Sequence, residues 1–332
     1  MAMNLVKLAL ATLSLFHGIK YMEVIKYNTS IRYEWDKFIA HAKNHHFMFY
    51  RDYMDYHSDR FQDHSLLIYD KGSLIACLPA NLKDNVLYSH GGLTFGGFIT
   101  NEKMTANLML EVFNAVIEYS KKEGIKAIIY KCIPYIYHSI PAEEDRYALF
   151  INDAQLWRRD VTTTIYLDNE IEYQERRTRS IKKAKKNEVI VTESIDFEQY
   201  WEILSENLYS KYKTKPVHSV QEIQHLHSLF PDNIKLYIAS HNNDIIAGVL
   251  VYLNPAIVHC QYIASNDAGK SLGALDLIFD FLINHFKNSK KYFDFGISNE
   301  MDGKYLNQGL IEFKEGFGAR AVCHDFYRLE FT

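Results

Sequence analysis

Cysteine and proline are scarce in this chain, and the few cysteines form no pattern of a cross-linked or metal-bound scaffold. The 332 residues include 4 cysteines and 6 prolines. Cys77, Cys132, Cys260 and Cys323 lie far apart without a C-x-x-C pair, which argues against a disulfide framework and a zinc site. Each lies in an apolar or strand-like run, where a free thiol behaves as a small hydrophobic side chain. We therefore expect four structural cysteines, no bound metal, and a reducing, cytoplasmic location.

Long apolar runs are missing as well. Leu8–Phe16 is apolar and follows Lys7, but it is too short to span a bilayer, and no clear A-x-A cleavage site follows it. A further methionine, Met22, opens an alternating, strand-like segment. We interpret residues 1–21 as a dispensable extension or an over-long start, whose deletion should leave folding and location unchanged. The alternative is a membrane anchor. We expect no integral membrane segment. We expect the protein to be cytoplasmic, either free or bound peripherally at the inner face of the membrane.

A large excess of charge of one sign is also absent. The 37 Lys and Arg against 41 Asp and Glu give a net charge of −4, which excludes a uniformly basic coat for DNA but permits a local basic patch. Hydrophobic residues at 48% and charged residues at 23% exclude wholesale disorder. The length predicts two domains, each long enough to bury its own core.

The first half contains a regular series of elements. Alternating runs at Ser65–Tyr69 and Leu74–Ala80 flank Asp70-Lys71-Gly72, which predicts a β-hairpin. A third strand is predicted at Val86–Ser89, a helix at Glu102–Glu123 and a buried strand at Ile125–Tyr130. The predicted order is helix, three antiparallel strands, helix and strand.

The second half repeats that order. The predicted elements are helices Glu198–Tyr212 and Val220–Phe230, a hairpin of Ile234–Ser240 and Ile245–Leu253, a strand at Ala256–Ala264, a helix at Leu272–Phe286, a strand at Tyr292–Phe295, a helix at Asn307–Glu315 and a final strand at Ala321–Phe331. A repeated order without obvious identity indicates a duplicated α/β fold. Between the halves, Arg176–Lys186 carries seven basic residues and no acidic one.

The C-terminal motifs carry a resemblance to a known family. The stretch 292–298 (YFDFGIS), then 307–310 (NQGL), then 312–318 (EFKEGFG) is similar to the end of the Fem-like (FemAB) branch of the GNAT acyltransferase superfamily. The resemblance covers Met22 to Thr332 and is specific in the final third. It implies two tandem GNAT-like domains, each a mixed, mostly antiparallel sheet flanked by helices. We place them at residues 22–160 and 161–332, with the second as the catalytic domain.

The resemblance implies the transfer of an acyl group to an amine. We expect an acyl or aminoacyl group to pass to a cell-envelope or polysaccharide precursor. One alternative is an acetyl-CoA-dependent N-acetyltransferase of a sugar nucleotide or a small amine. Another is a non-catalytic protein that binds a glycan or a partner. The donor is an acyl-CoA, with aminoacyl-tRNA or an acyl carrier protein as alternatives.

In GNAT folds a donor pyrophosphate binds backbone N–H groups at a helix N-terminus, where the helix dipole favours negative charge. The matching place here is the loop 265–274. Its candidate cofactor-binding residues, with one from the preceding strand, are Ile263, Gly269, Lys270, Ser271, Gly273 and Ala274. The phosphate-binding motif of the GNAT family ends in a small residue, Gly or Ala. Leu275 stands at that position here, and its larger side chain would hinder a close approach of phosphate. The plainer interpretation is a glycine-containing turn before a helix. The equivalent segment of the first half, 92–102, has no basic residue.

Three residues are candidates for catalysis. The Fem family has a Phe-Lys pair at the place of Phe313 and Lys314, and a fixed cation there would stabilise a developing oxyanion; the alternative is a solvated helix face. Asp294 lies in an apolar strand, so we expect it to be buried as a base, an orienting residue or a structural carboxylate. Glu300 follows in a loop, as a proton acceptor for the amine or an ordinary surface residue.

Substrate-binding candidates are spread over several segments. His90 and Thr94 are the polar residues of a glycine-rich stretch, 90–97, which lines either a substrate groove or a tightly packed domain interface. His259 and Tyr262 share the third strand of the second half, on opposite faces by period two. The remaining candidates are Tyr50, Arg51, Arg60 and Phe313. Arg51 and Arg60 would clamp a phosphate or a carboxylate, or pair with neighbouring aspartates.

The basic run Arg176–Lys186 is the candidate for a tRNA contact, because clustered cations neutralise phosphates. A solvated helix face is the alternative.

Overall fold

The computed structural model describes residues 22–169 and 171–331. The expectations for residues 1–21 concern residues outside these ranges. Within the described ranges, no helix has both the length and the apolar character needed to cross a membrane.

The first half begins with a hairpin-containing unit, and local sequence explains its turns and helix starts. Lys71 and Gly72 adopt positive φ angles at the tip of the predicted hairpin. Thr105 accepts a hydrogen bond from the Leu108 N–H and so begins the main helix. The elements are β1 (Met22–Lys26), α1 (Arg32–Ala40), α2 (Arg51–Asp55), β2 (Leu66–Asp70), β3 (Ser73–Leu78), β4 (Asn81–Lys83), β5 (Val86–Tyr88), β6 (Ile99–Thr100), α3 (Ala106–Lys122), β7 (Ala127–Lys131) and α4 (Glu144–Ile151).

The second half follows the predicted order closely. Ser219 and Glu222 form a reciprocal capping box at one helix start, and Asn307 caps another. The elements are β8 (Gln155–Tyr166), α5 (Glu175–Lys186), β9 (Ile190–Ser194), α6 (Phe197–Tyr212), α7 (Val220–Leu229), β10 (Ile234–His241), β11 (Asp244–Leu253), β12 (Ile257–Ser265), α8 (Asp267–Leu272), α9 (Ala274–Phe286), β13 (Tyr292–Ile297), β14 (Asn299–Glu300), β15 (Tyr305–Leu306), α10 (Gln308–Glu315) and β16 (Arg320–Glu330).

Most of these strands belong to one sheet that runs through both halves. A four-stranded sheet has the order β1-β2-β3-β6, and a ten-stranded sheet has the order β4-β5-β7-β16-β8-β13-β12-β11-β10-β9. The C-terminal strand β16 lies between β7 of the first half and β8. The two halves are therefore joined by main-chain hydrogen bonds as well as by side-chain packing.

Three sequence-based predictions need correction. The third strand of the first half, β5, does not extend the β2–β3 hairpin; it pairs with β4 and, in parallel, with β7. The predicted helix at Glu102–Glu123 begins only at Ala106, because Thr105 caps it. The predicted helix at Leu272–Phe286 begins only at Ala274, because Gly273 has a φ of +78° and separates it from the short helix α8.

The cysteines are all free thiols, and their burial differs. Cys77, Cys132 and Cys260 are buried in the packed interior, as expected of structural cysteines. Cys323 is exposed on β16, so its strand position does not bury it. Residues 22–169 and 171–331 hold no cluster of three or more metal-ligating side chains.

Candidate active site

A gap between β12 and β13 forms the candidate site. The two strands pair in parallel only from Ile257 with Tyr292 to His259 with Asp294. Beyond that point β13 turns away at Gly296, whose φ is +78°. The gap opens into a pocket of about 460 Å³ that is lined by both strands, by α6 and by α10. Backbone groups at the edge of each strand are thus left without a partner strand.

Lys314 holds the β13 side of this gap. Its ammonium is buried and donates hydrogen bonds to the Gly296 carbonyl at 2.7 Å, the Ile297 carbonyl at 2.8 Å and the Ser298 hydroxyl at 2.9 Å. Burial lowers the pKa of Lys314 to about 8, against the raising effect of the Asp294 charge. Since all three ammonium hydrogens are donated to β13 and its extension, the side chain fixes the shape of the pocket wall.

His259 and Asp294 form a hydrogen-bonded pair at the closed end of the gap. They are register partners on β12 and β13, and His259 Nδ1 lies 2.6 Å from Asp294 Oδ2. His259 also lines the pocket. When Nδ1 carries the proton donated to Asp294, Nε2 is the unprotonated ring nitrogen, available to a molecule in the pocket.

Asp294 is fully buried, as expected, and well supplied with donors. The hydroxyls of Thr162 and Thr164 on β8 donate to Oδ1, and Tyr137 donates to Oδ2 at 3.4 Å. Burial alone would raise the pKa of Asp294, but the hydrogen bond and charge of His259, together with Thr162, lower it to about 2. Asp294 is therefore a permanent carboxylate that orients His259 and would stabilise its protonated form.

A third buried polar side chain lies behind this pair. Burial lowers the pKa of His324 on β16 to about 4, and the charges of Asp294 and His259 also act on it. Its Nε2 is buried without a hydrogen-bond partner in the described part of the chain. His324 is therefore neutral at pH 7. The sequence analysis missed Tyr137, Thr162, Thr164 and His324, although the threonine run 162–164 was visible.

A β-bulge in β12 changes which residues face the pocket. The register with β11 shifts between Leu250 and Val251, so Gln261 has no partner there. His259 and Tyr262 both line the pocket as a result, together with Gln261. The prediction that His259 and Tyr262 lie on opposite faces is wrong, because the extra residue breaks the alternation.

The first half supplies one pocket residue, Thr94, from the glycine-rich stretch. The glycines of that stretch are needed for close packing. A Cβ on Gly96 would lie 2.1 Å from the Ser89 carbonyl, and one on Gly97 would lie 2.7 Å from the Tyr130 hydroxyl. His90 is buried and stacks on His57, away from the pocket lining.

The predicted phosphate-binding loop is largely occupied by its own contacts. The Gly269 N–H binds the Asn266 side chain, and Lys270 pairs with Asp267. At the start of α9, a Cβ on Gly273 would lie 2.4 Å from Ser180 Oγ, so α5 packs directly on this turn. Ala274 is buried, Ser271 is exposed, and only Ile263 of the six candidates lines the pocket.

An ion pair reinforces that contact between α5 and α9. Arg177 on α5 binds Asp276, in the first turn of α9, at 2.7 Å, and both side chains are buried. Phe313 lies beneath, with the Arg177 guanidinium 4.7 Å from its ring centre and Phe279 and Phe317 beside it. The N-terminus of α9 is thus covered by the protein.

The remaining candidates lie outside the pocket lining. Glu300 accepts a hydrogen bond from Asn307 at 2.9 Å. Arg51 is buried and paired with Asp55 and Asp63, and its guanidinium lies 3.8 Å from the ring centre of Tyr27. Arg60 pairs with Glu222 at 2.7 Å, and Tyr50 stacks on Phe230. Arg51 thus has the aspartate partners of the alternative interpretation, whereas the closer partner of Arg60 is Glu222.

The basic helix α5 presents most of its cations to solvent. Arg177 points inward, Lys185 binds Asp280 at 3.0 Å, and Arg179 lies 3.9 Å from Glu175. Four exposed cations have no acidic partner within residues 22–169 and 171–331: Arg176, Lys182, Lys183 and Lys186.

Comparisons with known proteins agree with this architecture. Residues 169–315 match the family model described as an acetyltransferase (GNAT) domain. FemX has a TM-score of 0.64 at 10% identity, over 91% of this chain and 96% of its own. The C-terminal domain of a protein provisionally named lysylphosphatidylglycerol synthetase, from Agrobacterium fabrum, has a TM-score of 0.61 at 11% identity, over 91% and 93%. L-PGS from Bacillus licheniformis has a TM-score of 0.55 at 12% identity, over 78% and 82%.

No curated protein matches the sequence. At these low identities the structural likeness is one of fold. The predicted fold, two tandem GNAT-like domains in a mixed α/β arrangement, is confirmed, and so is the resemblance to the Fem-like branch of GNAT proteins. The chain has an acyltransferase fold.

Proposed function

We propose that this protein transfers an acyl or aminoacyl group to an amine of a cell-envelope or polysaccharide precursor, with His259 as the general base. The His259–Asp294 pair at the gap between β12 and β13 is the observation that carries the proposal. An amine enters as an ammonium ion and attacks only after losing a proton. An imidazole whose other nitrogen is held by a buried carboxylate suits that task.

The reaction divides among residues of the pocket. His259 Nε2 takes the proton of the amine, and Asp294 stabilises the imidazolium that forms. The amine nitrogen then bonds to the acyl carbon, and the carbonyl becomes an oxyanion. As the carbonyl re-forms, the bond between the acyl carbon and the leaving group breaks, the leaving group takes the proton from His259, and the second proton of the nitrogen passes to solvent. Backbone N–H groups of β12 beyond His259 have no partner on β13, and they are the donors proposed for the oxyanion. Lys314 keeps the gap open by holding the carbonyls of β13.

The surroundings of α9 favour a donor other than acyl-CoA. Phosphate binding at a helix N-terminus needs free N–H groups and open space, whereas α5 covers this helix start through Ser180 and Arg177. The exposed cations of α5 offer a larger anionic donor a place to bind. We therefore propose an aminoacyl-tRNA as the donor.

The test measures label transfer from two donors. Wild-type protein is incubated with [14C]acetyl-CoA or with a [14C]aminoacyl-tRNA mixture, and with a lysine-containing muropeptide or a UDP-linked amino sugar as the acceptor. We expect transfer from the tRNA mixture. We expect His259→Gln to lower the rate by about 10²–10⁴-fold, and Asp294→Asn to lower it comparably, because an amide would reverse the histidine tautomer.

The matched control is His225→Gln, an exposed histidine on α7. It should leave the rate unchanged. Transfer from acetyl-CoA alone would favour the N-acetyltransferase alternative, and absence of transfer from either donor to either acceptor would contradict the proposal. A His259→Gln variant that keeps the wild-type rate would reject the base assignment while leaving acyl transfer in place.

A further inference from the structure

The turn 90–97 brings one side chain of the first half into the pocket of the second. Leu93 and Phe95 are buried on either side of Thr94, and Phe95 packs on Tyr137 with ring centres 4.3 Å apart. Thr94 is only partly buried, lines the pocket and makes no hydrogen bond within the described residues. Its hydroxyl is therefore available to a bound molecule.

Lys131, at the end of β7, holds this turn. Its ammonium donates hydrogen bonds to the carbonyls of Leu93 at 2.7 Å, His90 at 3.0 Å and Gly91 at 3.4 Å. Its main chain also takes part, since the Lys131 N–H binds the Ser89 hydroxyl at 2.7 Å and the Gly96 N–H binds the Lys131 carbonyl at 3.3 Å. The turn is thus attached to one residue at several points.

The environment of this lysine is unusual for a group that serves stability alone. No carboxylate of the described residues lies within 4 Å of its ammonium. Burial lowers the pKa of Lys131 to about 8, because little water solvates the charge. An apolar side chain would avoid that desolvation cost but would supply no donors to the three carbonyls.

We infer that Lys131 is a positioning residue that fixes the turn 90–97 so that Thr94 contacts the acceptor. The inference rests on the proposed acyl transfer. It adds that the first half, through Thr94, recognises the acceptor. Thr94 binds a polar group of the acceptor, a carbonyl, amide or hydroxyl, from the part of the pocket wall that the first half supplies. The first half thereby completes the pocket of the second.

The kinetic test is a double-mutant cycle with Thr94→Val and Lys131→Met. Each single variant should raise the KM for the acceptor by about 3- to 10-fold, the range of one lost hydrogen bond, with kcat changed by less than about 2-fold. Because Lys131 acts through Thr94, the double variant should show the same KM as Thr94→Val. Lys131→Gln, which keeps two donor hydrogens, should lie between Lys131→Met and wild type, and it replaces Lys131→Met where that variant does not fold.

The structural test is hydrogen exchange of the amides of residues 90–97, which needs no reaction. Lys131→Met should accelerate their exchange by about 10- to 100-fold, whereas Lys126→Met, at an exposed lysine, should not. Unchanged exchange in Lys131→Met overturns the inference, and so do KM effects that multiply in the double variant. Wild-type protein without transfer activity rejects the proposed function, while the exchange comparison still decides whether Lys131 holds the turn.

Discussion

The burial of histidine rings makes the stability of this protein sensitive to mild acid. Burial lowers the pKa values of His138, His218 and His324 to about 4. An unfolded chain binds protons at these side chains below about pH 6.5, whereas the folded protein does not until about pH 4. Their effect is therefore to reduce stability as the pH falls from about 6.5 to 4. Asp294, with a pKa of about 2, loses its stabilising charge only between about pH 4 and 2.

His324→Gln should reduce that acid sensitivity. Lowering the pKa of His324 from about 6.5 in the unfolded chain to about 4 in the folded protein changes the free energy of unfolding by about 3 kcal/mol between pH 6.5 and 4. We expect urea unfolding of the variant to show a flatter pH profile in that window. His225→Gln, at an exposed side chain, serves as the control and should retain the wild-type profile. An equally steep profile in His324→Gln would mean that His324 is not the group that remains neutral.

At the residue scale, the sequence indicated single side chains better than their partners. The burial of Asp294 could be predicted, because its neighbours in YFDFG are apolar. Its pairing with His259 could not, since it depends on the register of β12 against β13, and the residues are 35 positions apart. The bulge at Gln261 was equally hidden, because it appears only in the register of β12 against β11.

At the element scale, the packing of α5 on the start of α9 leaves little room for a phosphate group at that helix N-terminus. Gly273→Ala should destabilise the protein because the new Cβ would meet Ser180 Oγ at 2.4 Å and the Ser180 carbonyl at 2.9 Å. We expect a loss of about 2–4 kcal/mol, the sum of the backbone cost at positive φ and of overpacking. Urea unfolding at pH 7 provides the measurement.

Gly124→Ala is the matched control for that substitution. Gly124 has a similar φ of +71°, but nothing lies within 4 Å of its Cβ position. It should cost about 1–2 kcal/mol, for the backbone alone. Equal losses for the two variants would show that α5 does not press on the start of α9, and the argument against a phosphate site there would fail.

Several element boundaries were predicted closely, although the Thr105 cap at the start of α3 was missed. The hairpin at β2–β3 and the helices α6, α7 and α10 lie within a residue or two of their predicted places. The start of α9 was placed two residues too early, at Leu272, since the apolar periodicity of Leu272–Phe286 continues across Gly273. The glycine is required by the packing of Ser180 from another helix, which no local pattern contains.

At the scale of the whole molecule, the pairing of β16 with β7 and β8 connects the two halves. The chain order of elements predicted two successive units. The pairing of β16 with β7, from Phe326 with Lys131 to Glu330 with Ala127, joins the C-terminal strand to the first unit. Such long-range pairing could not be derived from strand periodicity, because a strand's pattern states which face is buried and not which neighbour it joins.

This connection predicts that the two halves unfold together. Chains of this length commonly unfold domain by domain, yet separating these halves would break the pairing of β16 with either β7 or β8. Trp35 reports on the first half and Trp201 on the second, and both are buried. Two variants are compared, each of which keeps one of these tryptophans and carries phenylalanine at the other two tryptophan positions. Their urea midpoints should coincide within about 0.3 M, which is a difference of about 0.5 kcal/mol or less in the free energy of unfolding at typical m-values. Midpoints about 1 M or more apart would show that the shared sheet does not couple the halves, and that the pocket wall formed by Thr94 can be lost while the β12–β13 gap stays folded.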